Sequence, residues 1–481
     1  MSNDNIQSRS TFVPANEIRS QFSQAMSAMY REEVPAYGEL MALVEEINAT
    51  RLADDAQLRD QLDHSNGLDR ITEERHGAIR VGTAAELNTL RRLFAVMGME
   101  PVGYYDLAVA GIPVHSTAFR PVAEADLNIN PFRVFTSLLR LELIEDAELR
   151  RAAEAVLAAR DIFTPAARNL IDRAEAQGGL NEEDAARFVT EALETFRWHS
   201  KAIVDADLYQ KLHDEHRLIA DIVSFHGPHI NHLTPRTLDI DAVQRAMPGR
   251  GINPKEVIEG PPERNCPILL RQTSFKALEE KVLFRTAEGT GWSEGSHTAR
   301  FGEIEQRGIA LTAKGRKLYD DLLEATRAAV RAGEGTYETL LLEKFRAFPD
   351  SYAELRAEGL AFFRYSLTDK GAELARSVGI SGTLEGLLEI GLIRFDPIIY
   401  EDFLPVSAAG IFQSNLGDTG AEIVYANPSQ SSFEADLGAK VHDELALYAE
   451  LEQASFAACQ ALLSEKAQPA KASIDKADVA A

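Results

Sequence analysis

The feature that most constrains the fold of this chain is an order of predicted elements that occurs twice: a strand, a helix and three further strands. In the first copy, a strand over 76–81 precedes the capping box Thr83-Ala-Ala-Glu86, which marks the start of an amphipathic helix that ends at Gly98. Three strand-like runs follow, at 101–107, 112–120 and 132–141. These signals together predict a β-α-β-β-β unit.

The same order of elements returns after a long helical stretch. Residues 228–233 are predicted as a strand, 239–247 as a short helix, and 267–275, 281–285 and 299–307 as strands. The two units share this pattern without obvious residue-level identity. We therefore predict an α+β fold in which two β-α-β-β-β modules form a central open barrel or sheet, surrounded by large helical insertions.

Helical signals and composition divide the rest of the chain. Near the N-terminus, Ile18, Phe22, Met26 and Met29 share one helical face, and Pro35 is predicted to end that helix. A last helix is predicted over 433–465. The predicted segments are an N-terminal helical segment (1–70), the first module (71–142), a helical insertion (143–220), the second module (221–308), a helical and mixed region that completes the pocket (309–465) and a disordered tail (466–481).

Charge and composition argue against several classes of partner. The chain has 481 residues and a formal net charge of −25, whereas nucleic acids and anionic membranes require a basic surface. It has no apolar run of the roughly 20 residues that a membrane span needs, and residues 1–16 lack the apolar core of a signal peptide. Cys266 and Cys459 cannot make a disulfide framework. We expect a cytoplasmic protein with a small-molecule ligand, and its oligomeric state stays open.

Histidines in the two units are candidates for metal binding. His76 and Arg80 are four residues apart on the first predicted strand, so they lie on the same face. A lone histidine on a strand is more often a core residue than a ligand. His226, His229 and His232 lie within seven residues of one another and are a better metal signal.

The last predicted strand of the second unit carries Glu303 and Glu305 on one face, and spacing alone does not choose between them. If the two units pair, their first strands and this last strand meet at one cavity. That cavity would hold His76, His232 and one of the two glutamates. Two imidazoles and one carboxylate leave about three coordination positions open, which suits an Fe(II) oxygenase. A zinc site normally keeps fewer open positions.

Four segments make a more specific comparison possible: Arg75-His-Gly-Ala-Ile-Arg-Val-Gly82, His229-Ile-Asn-His-Leu-Thr-Pro-Arg236, Gly295-Ser-His-Thr-Ala-Arg-Phe-Gly-Glu-Ile-Glu-Gln-Arg-Gly308 and Asp402-Phe-Leu-Pro-Val-Ser-Ala-Ala-Gly-Ile-Phe412. They resemble the 2-oxoadipate dioxygenase/decarboxylase family, a distant relative of the vicinal oxygen chelate enzymes, and the similarity covers nearly the whole chain. The segment 301–307 also resembles the part of 4-hydroxyphenylpyruvate dioxygenase that supplies its iron-binding glutamate, and that glutamate falls on Glu303.

The resemblance implies a fold and a reaction as well as a set of site residues. It implies two vicinal-oxygen-chelate-like modules and the conversion of 2-oxoadipate and O2 to 2-hydroxyglutarate and CO2 in lysine degradation. It implies that Fe(II) is bound by His76, His232 and Glu303, that a substrate carboxylate is engaged by Arg80, and that substrate selection is shaped by Val406 and Ser407.

Two alternative functions stay open on the sequence. One is a glyoxalase-like isomerase or hydrolase that acts on a 2-oxoacid with Zn2+ or Ni2+, and the other is a non-catalytic metal- or ligand-binding protein. The sequence contains no GxxxxGKS/T or CxxC motif, so nucleotide and thiol-redox chemistry have no support. His226, His229 and His297 are expected to line the pocket or support the ligands rather than bind the metal.

Overall fold

A computed structural model gives the structure of the chain and describes residues 12–64, 67–275, 279–286, 289–375, 380–404 and 429–464. Over these residues the fold is a mixed α+β arrangement of open sheets, and none of the described sheets closes into a barrel. The predicted tail, 466–481, lies outside the described residues.

The N-terminal segment is helical, as predicted. Its helices are α1 (Ala15–Glu33), α2 (Pro35–Asp54), α3 (Ala56–His64) and α4 (Leu68–Glu73). The predicted apolar face of α1 is buried. Pro35 stands where the sequence predicts a stop, and it is also the first residue of the next helix, a position whose backbone N–H would have no helical partner in any case.

The first predicted β-α-β-β-β unit is present in one sheet. It consists of β1 (Arg75–Val81), α5 (Ala84–Val96), β2 (Glu100–Asp106), β3 (Val114–Arg120) and β4 (Arg133–Leu139), with a short helix α6 (Glu124–Ile129) before β4. The capping box forms as predicted, because the Thr83 side chain accepts the backbone N–H of Glu86 and the Glu86 side chain accepts the backbone N–H of Thr83. β1 runs parallel to β4, and β2, β3 and β4 are successively antiparallel.

The segment 143–220 is mainly helical but contains a strand that the sequence analysis missed. Its elements are α7 (Ala147–Ala158), α8 (Pro165–Gln177), α9 (Glu182–Leu193), β5 (Lys201–Asp205), α10 (Ala206–Glu215) and α11 (Arg217–Ser224). β5 is only five residues long, and its extended form depends on parallel pairing with a strand about 80 residues further on. The predicted helical insertion therefore also contains a strand.

The second unit has the predicted elements with changed limits, and its strands belong to different sheets. It comprises β6 (Leu233–Pro235), α12 (Ile240–Ala246), β7 (Leu270–Ser274), β8 (Glu280–Arg285), β9 (Trp292–His297) and β10 (Glu303–Arg307). β6 joins the first sheet by antiparallel pairing with β1, giving the order β2-β3-β4-β1-β6. β7 pairs with β10, while β8 pairs with β5 and β9 in a three-stranded sheet.

Two predicted strands of this unit need correction. The strand predicted over 228–233 begins only at Leu233, because Pro228 and the left-handed backbone of His229, with φ of 24°, keep the preceding residues in a loop. The strand predicted over 299–307 begins at Glu303. The sequence analysis also missed β9, whose residues Trp292-Ser-Glu-Gly-Ser-His297 lack apolar alternation.

The C-terminal region is helical and mixed, as predicted, and its last helix is divided. Its elements are α13 (Ala313–Arg331), α14 (Tyr337–Lys344), α15 (Tyr352–Ala357), β11 (Phe363–Leu367), α16 (Asp369–Ala375), α17 (Leu384–Glu389), β12 (Ile393–Pro397), α18 (Ser429–Leu437) and α19 (Glu444–Ser464). The single helix predicted over 433–465 breaks at Gly438, which has φ of 74° after α18 and so ends that helix in the left-handed region.

The central sheet separates two large apolar clusters, and this decides which side chains of β1 can form a site. Ile79 and Val81 pack with the N-terminal helices and α5, whereas Ala78 packs on the side of the C-terminal helices. His76 and Arg80 share the face of Ala78 because side chains alternate along a strand. Among the described helices, none is both long and apolar enough to cross a membrane.

Candidate metal centre

The structure brings His76, His232 and Glu303 together, although they are far apart in the sequence. His76 lies on β1, His232 immediately precedes β6, and Glu303 is the first residue of β10. The pairing of β6 with β1 sets Thr234 opposite His76. A bridge between Arg236 and Glu305 brings β10 beside β6. We call His76, His232 and Glu303 the His76 cluster.

The three side chains of the His76 cluster face one another at close range. His76 Nε2 lies 3.1 Å and His232 Nε2 lies 3.8 Å from Glu303 Oε1. One donor atom from each residue lies within 4.8 Å of the others, and all three residues are buried. Their exposed fractions are 1%, 1% and 0%, so bulk water does not surround these groups.

Several atoms of the His76 cluster lack a hydrogen-bond partner in the structure. Both ring nitrogens of His232 and Oε2 of Glu303 are buried without one among the described residues. Buried polar atoms are nearly always satisfied, so each exception requires an explanation. A metal ion bound to Glu303 and to one nitrogen of His232 would explain one such atom in each residue.

Electrostatics keep the carboxylate of the His76 cluster ionised and His232 neutral. Burial favours the protonated form of Glu303, but electrostatic interactions with His232 and His76 and a hydrogen bond from His76 outweigh burial and lower the Glu303 pKa. Burial is the main reason that the pKa of His232 falls to about 4. An ionised carboxylate and a neutral imidazole are the forms that bind metals.

A glycine allows the His232 loop to lie directly against β1. A Cβ added at Gly77 would stand 2.4 Å from Ile230 Cδ1 and 3.1 Å from the backbone oxygen of His232. At the next position of β1, the Ala78 carbonyl accepts the N–H of Asn231 at 3.0 Å. A side chain at position 77 would displace the end of Ile230 and press on the His232 backbone, so the close approach favours glycine there.

Glu303 and Glu305 contact different atoms of His76. Glu305 Oε2 lies 2.9 Å from His76 Nδ1, on the opposite side of the ring from Glu303. Arg307 holds Glu305 with two hydrogen bonds of 2.9 Å. The pKa of Glu305 is about 2, because Arg307 and His76 outweigh the effect of burial. A carboxylate on the far nitrogen of a ligating histidine is a common outer partner, so Glu303 faces the candidate metal position and Glu305 supports His76.

A buried ion network continues behind Glu305. Glu74 lies within 3.6 Å of Arg307 and accepts hydrogen bonds of 2.9 Å from Arg133 and Arg236. Arg307 also donates to the backbone oxygens of Tyr400 and Asp402, at 2.8 and 2.9 Å. The network thus fixes β10 to the segment that leads to Phe403.

The late loop approaches the site at Phe403. The Phe403 ring centroid lies 5.0 Å from that of His76. Asp402 is held in place by Arg120, through bonds of 2.6 and 3.0 Å. Val406 and Ser407, which the family resemblance implies in substrate selection, lie outside the described residues.

Arg80, the predicted carboxylate clamp, is buried and paired with an aspartate. Its Nη1 lies 2.9 Å from Asp221 Oδ2. Asp221 also contacts His229 and His297. We call Asp221, His229 and His297 the Asp221 cluster, and they form a second buried group with metal-donor spacing. The charge of Arg80 helps to lower the His232 pKa, so Arg80 lies within electrostatic range of the His76 cluster.

The surplus histidines are therefore divided by position. His229 and His297 belong to the Asp221 cluster, and His226 packs against His199, with ring centroids 5.7 Å apart. None of the three is grouped with Glu303 in the described part of the chain.

Several residues around the site gave no signal in the sequence. Gln272 and Thr234 donate to Glu303 Oε1 at 2.8 and 3.1 Å. Lys255 is half-buried, and burial lowers its pKa to about 8 even though the charge of Glu303 opposes the shift. The positions of these residues, and that of Asp221, depend on contacts between segments that are far apart in the sequence. Gln272, for example, could have been identified only from the register of β7 with β10.

The residues of the His76 cluster fit a single redox-active metal ion. Two imidazoles and one carboxylate, with buried donor atoms that have no protein partner, match the donor set of mononuclear non-haem iron sites. The second cluster fits less well, because Arg80 already occupies one oxygen of its carboxylate. The open-sheet α+β fold and this site define a candidate mononuclear metal enzyme.

Comparison with known proteins gives the family. A family model described as 2-oxoadipate dioxygenase/decarboxylase matches residues 22–415. The chain belongs to the 2-oxoadipate dioxygenase/decarboxylase family. Proteins of that name from Pseudomonas putida and Escherichia coli are both 58% identical to it, over 94% and 93% of this chain and 98% of their own. The crystal structure of the hydroxyglutarate synthase from Pseudomonas putida in complex with 2-oxoadipate is similar, with a TM-score of 0.87, 56% identity and coverage of 95% of this chain and 100% of the other.

Proposed function

We propose that this chain is a dioxygenase that converts 2-oxoadipate and O2 to 2-hydroxyglutarate and CO2. The reaction needs no second 2-oxoacid, because 2-oxoadipate and O2 together contain the same atoms as 2-hydroxyglutarate and CO2 together. The observation that carries the proposal is the buried His76 cluster with its unpartnered donor atoms. Family membership and a similar structure that holds 2-oxoadipate support the choice of substrate. Lysine degradation and a cytoplasmic location are part of the same proposal.

Fe(II) is the metal that we propose for the His76 cluster. When bound, it would supply a redox-active centre with open coordination positions, which a 2-oxoacid can use through its keto and C1 carboxylate oxygens. The chain's own contribution is to hold three ligands in a buried setting. Gln272 and Thr234 fix the carboxylate of Glu303, and Glu305 fixes the ring of His76.

We propose that Arg80 binds a carboxylate of the substrate. Its guanidinium is planar and charged, and it projects from the same face of β1 as His76. Because the chain carries a net charge of −25, a local cation is required to attract a dianionic substrate. We also propose that Val406 and Ser407 shape substrate selection, since the chain that leads to them contacts His76 through Phe403.

We propose that the site lies between two modules of the vicinal-oxygen-chelate type. In support, the first unit forms one sheet with the β-α-β-β-β order, and the second unit contributes β6 to that sheet and β10 beside it. The first unit supplies His76 and the second unit supplies His232, and both histidines lie at the pairing of β1 with β6. The placement of β8 and β9 in another sheet is a departure from two equivalent modules.

The experiment that tests the function measures all reactants and products at once. Purified protein is loaded anaerobically with Fe(II) and mixed with 2-oxoadipate, and O2 is then admitted. We expect O2 consumption, CO2 release and 2-hydroxyglutarate formation in equal amounts, with no turnover before O2 enters. The matched control is the same protein loaded with Zn2+, which we expect to be inactive.

Other outcomes would identify the alternatives. An isomer or hydrolysis product formed without O2 would contradict the proposal and favour the glyoxalase-like enzyme. Binding of 2-oxoadipate without turnover under every condition would favour the binding protein.

A further inference from the structure

Arg80 is held from behind by a buried aspartate that the family resemblance does not include. The Arg80 guanidinium and the Asp221 carboxylate are both almost fully buried, with 2.9 Å between Nη1 and Oδ2. Arg80 comes from β1 and Asp221 from α11, 141 residues later. The side chain of an arginine has many rotamers, so a fixed carboxylate behind it limits where the guanidinium can point.

Asp221 is itself fixed by two histidines. Its other oxygen, Oδ1, accepts from His297 Nε2 at 2.9 Å and lies 3.3 Å from His229 Nε2. The remaining nitrogen of His297 lies 2.8 Å from the hydroxyl of Tyr209 on α10. Both oxygens of the carboxylate therefore have contacts, which come from three different segments of the chain, and Tyr209 adds a fourth segment through His297.

An aromatic wall keeps these contacts in place. The Trp198 ring stacks on His297, with centroids 6.1 Å apart and planes inclined by 9°, and meets His229 edge-on at 4.7 Å. The Arg300 guanidinium lies over the Trp198 ring, 4.7 Å from its centroid. The histidines are thus confined by packing as well as by hydrogen bonds.

The donor set of the Asp221 cluster also suits a metal ion, but its contacts favour a hydrogen-bonded network. Both oxygens of Asp221 already accept hydrogen bonds within the protein. A cation here would lie beside the permanent charge of Arg80, which would repel it. The arrangement therefore points to the orientation of Arg80 rather than to a second ion.

We propose that Asp221, supported by His297 and Tyr209, is a positioning residue that orients Arg80 toward the substrate carboxylate. This inference rests on the proposed function, because it gives Arg80 its role in binding 2-oxoadipate. Asp221 touches neither the substrate nor the metal ligands in this scheme, and it acts through Arg80 alone.

The test is a double-mutant cycle in the iron-loaded enzyme with Asp221→Asn, Arg80→Lys and the double variant. Asp221→Asn should raise the KM for 2-oxoadipate by roughly 10-fold, the size expected when one charge-assisted hydrogen bond is disturbed, with a smaller change in kcat. The double variant should be no worse than Arg80→Lys alone, because both changes remove the same oriented guanidinium. Asp221→Glu should restore part of the affinity, and iron content should stay at one ion per chain.

Two further variants separate positioning from folding. Tyr209→Phe removes only the hydroxyl at His297 and should raise KM less than Asp221→Asn does. Asp106→Asn is the matched control, since Asp106 is equally buried and paired with Arg140 at 3.4 Å in a different part of the sheet. It should leave KM unchanged.

The possible failures can be told apart. Additive effects of Asp221→Asn and Arg80→Lys on KM, or a second metal ion lost in Asp221→Asn, would overturn the positioning role and leave the proposed function intact. An unchanged KM in Arg80→Lys would overturn the role of Arg80, and with it this inference. Loss of activity in Asp221→Asn with unchanged KM for 2-oxoadipate would also overturn the positioning role.

Discussion

The His76 cluster and the Asp221 cluster have the same composition, two histidines and one carboxylate, and both are buried. They differ in what surrounds their polar atoms. In the His76 cluster, both nitrogens of His232 and one oxygen of Glu303 have no hydrogen-bond partner in the part of the chain that the structure describes. In the Asp221 cluster, Arg80 and His297 donate to the two oxygens of the carboxylate, and Tyr209 contacts His297.

This difference shows that residue type alone does not define a metal site. A carboxylate that already accepts from arginine and histidine offers little to a cation, whereas a carboxylate with an unpartnered buried oxygen can accept one. We therefore propose two tasks for the same three kinds of side chain, metal binding in the His76 cluster and orientation of Arg80 in the Asp221 cluster. Substitutions at Glu303, Glu305, Gly77 and Asp221 test that division.

Glu303→Ala should have the largest effect, because it removes a ligand. We expect Fe(II) affinity to fall by more than the roughly 100-fold that loss of an outer partner costs, and turnover of 2-oxoadipate to be abolished. The metal content of purified protein and the O2 consumption rate measure the two effects. Asp221→Asn is the comparison, and it should retain one iron per chain. Retention of iron in Glu303→Ala together with loss of iron in Asp221→Asn would reverse the assignment of the two clusters.

Glu305→Gln should have an intermediate effect on the His76 cluster. It keeps a hydrogen-bonding group near His76 Nδ1 but removes the charge that lies 2.9 Å from it. We expect Fe(II) affinity to fall by roughly 10- to 100-fold, the range for an outer carboxylate partner. A titration with Fe(II) under anaerobic conditions measures it. Complete loss of iron, with iron retained in Glu303→Ala, would mean that Glu305 is the ligand.

The parts of the site that could be predicted are those with local signals. The capping box at Thr83 and the short strand predicted over 76–81 located the first β-α-β-β-β unit, and the family resemblance chose Glu303 over Glu305. The structure brings His76, His232 and Glu303 together as the sequence analysis expected. Their roles as ligands stay a prediction.

The parts that could not be predicted depend on contacts between distant segments. β5 and β9 are short or polar, and each becomes a strand because β8 pairs with it. Asp221 lies in α11, where the local pattern indicates only a helix, and its partner Arg80 is 141 residues away. No spacing rule could have connected Arg80 with Asp221, because the arrangement that brings β1 and α11 together is a property of the whole fold.

Gly77→Ala should have a smaller effect, confined to the His76 cluster. The added methyl would overlap Ile230 and press on the backbone at His232, so the loop that carries this histidine must shift. We expect a loss of about 1–3 kcal/mol in the free energy of unfolding and a measurable fall in Fe(II) affinity. Gly249→Ala is the control, because a Cβ at Gly249 would meet nothing within 4 Å. An equal effect of the two changes would contradict the close approach.

The smallest effect concerns pH, and it tests whether Asp221 is as fully satisfied as its contacts indicate. Burial favours its protonated form, but His229 and His297 outweigh burial and hold the Asp221 pKa well below 3.8. Its contribution to stability is therefore present above pH 3.8 and is lost only as the pH falls through that lower pKa. Glu444, near Asp402, is the contrasting carboxylate, since burial and the charge of Asp402 raise its pKa to about 7.

The two carboxylates should consequently respond differently between pH 5 and pH 8. A raised pKa gives Glu444 a contribution that is present below pH 4.5 and lost as the pH rises through about 7, so Glu444→Gln should gain stability relative to the parent over this range, by up to about 1.4 kcal/mol per pH unit. The difference between Asp221→Asn and the parent should stay constant. Urea denaturation at each pH measures both. A pH-dependent difference for Asp221→Asn in this range would mean that Arg80 and the histidines do not keep this carboxylate ionised, and the contrast between the two clusters would lose its physical basis.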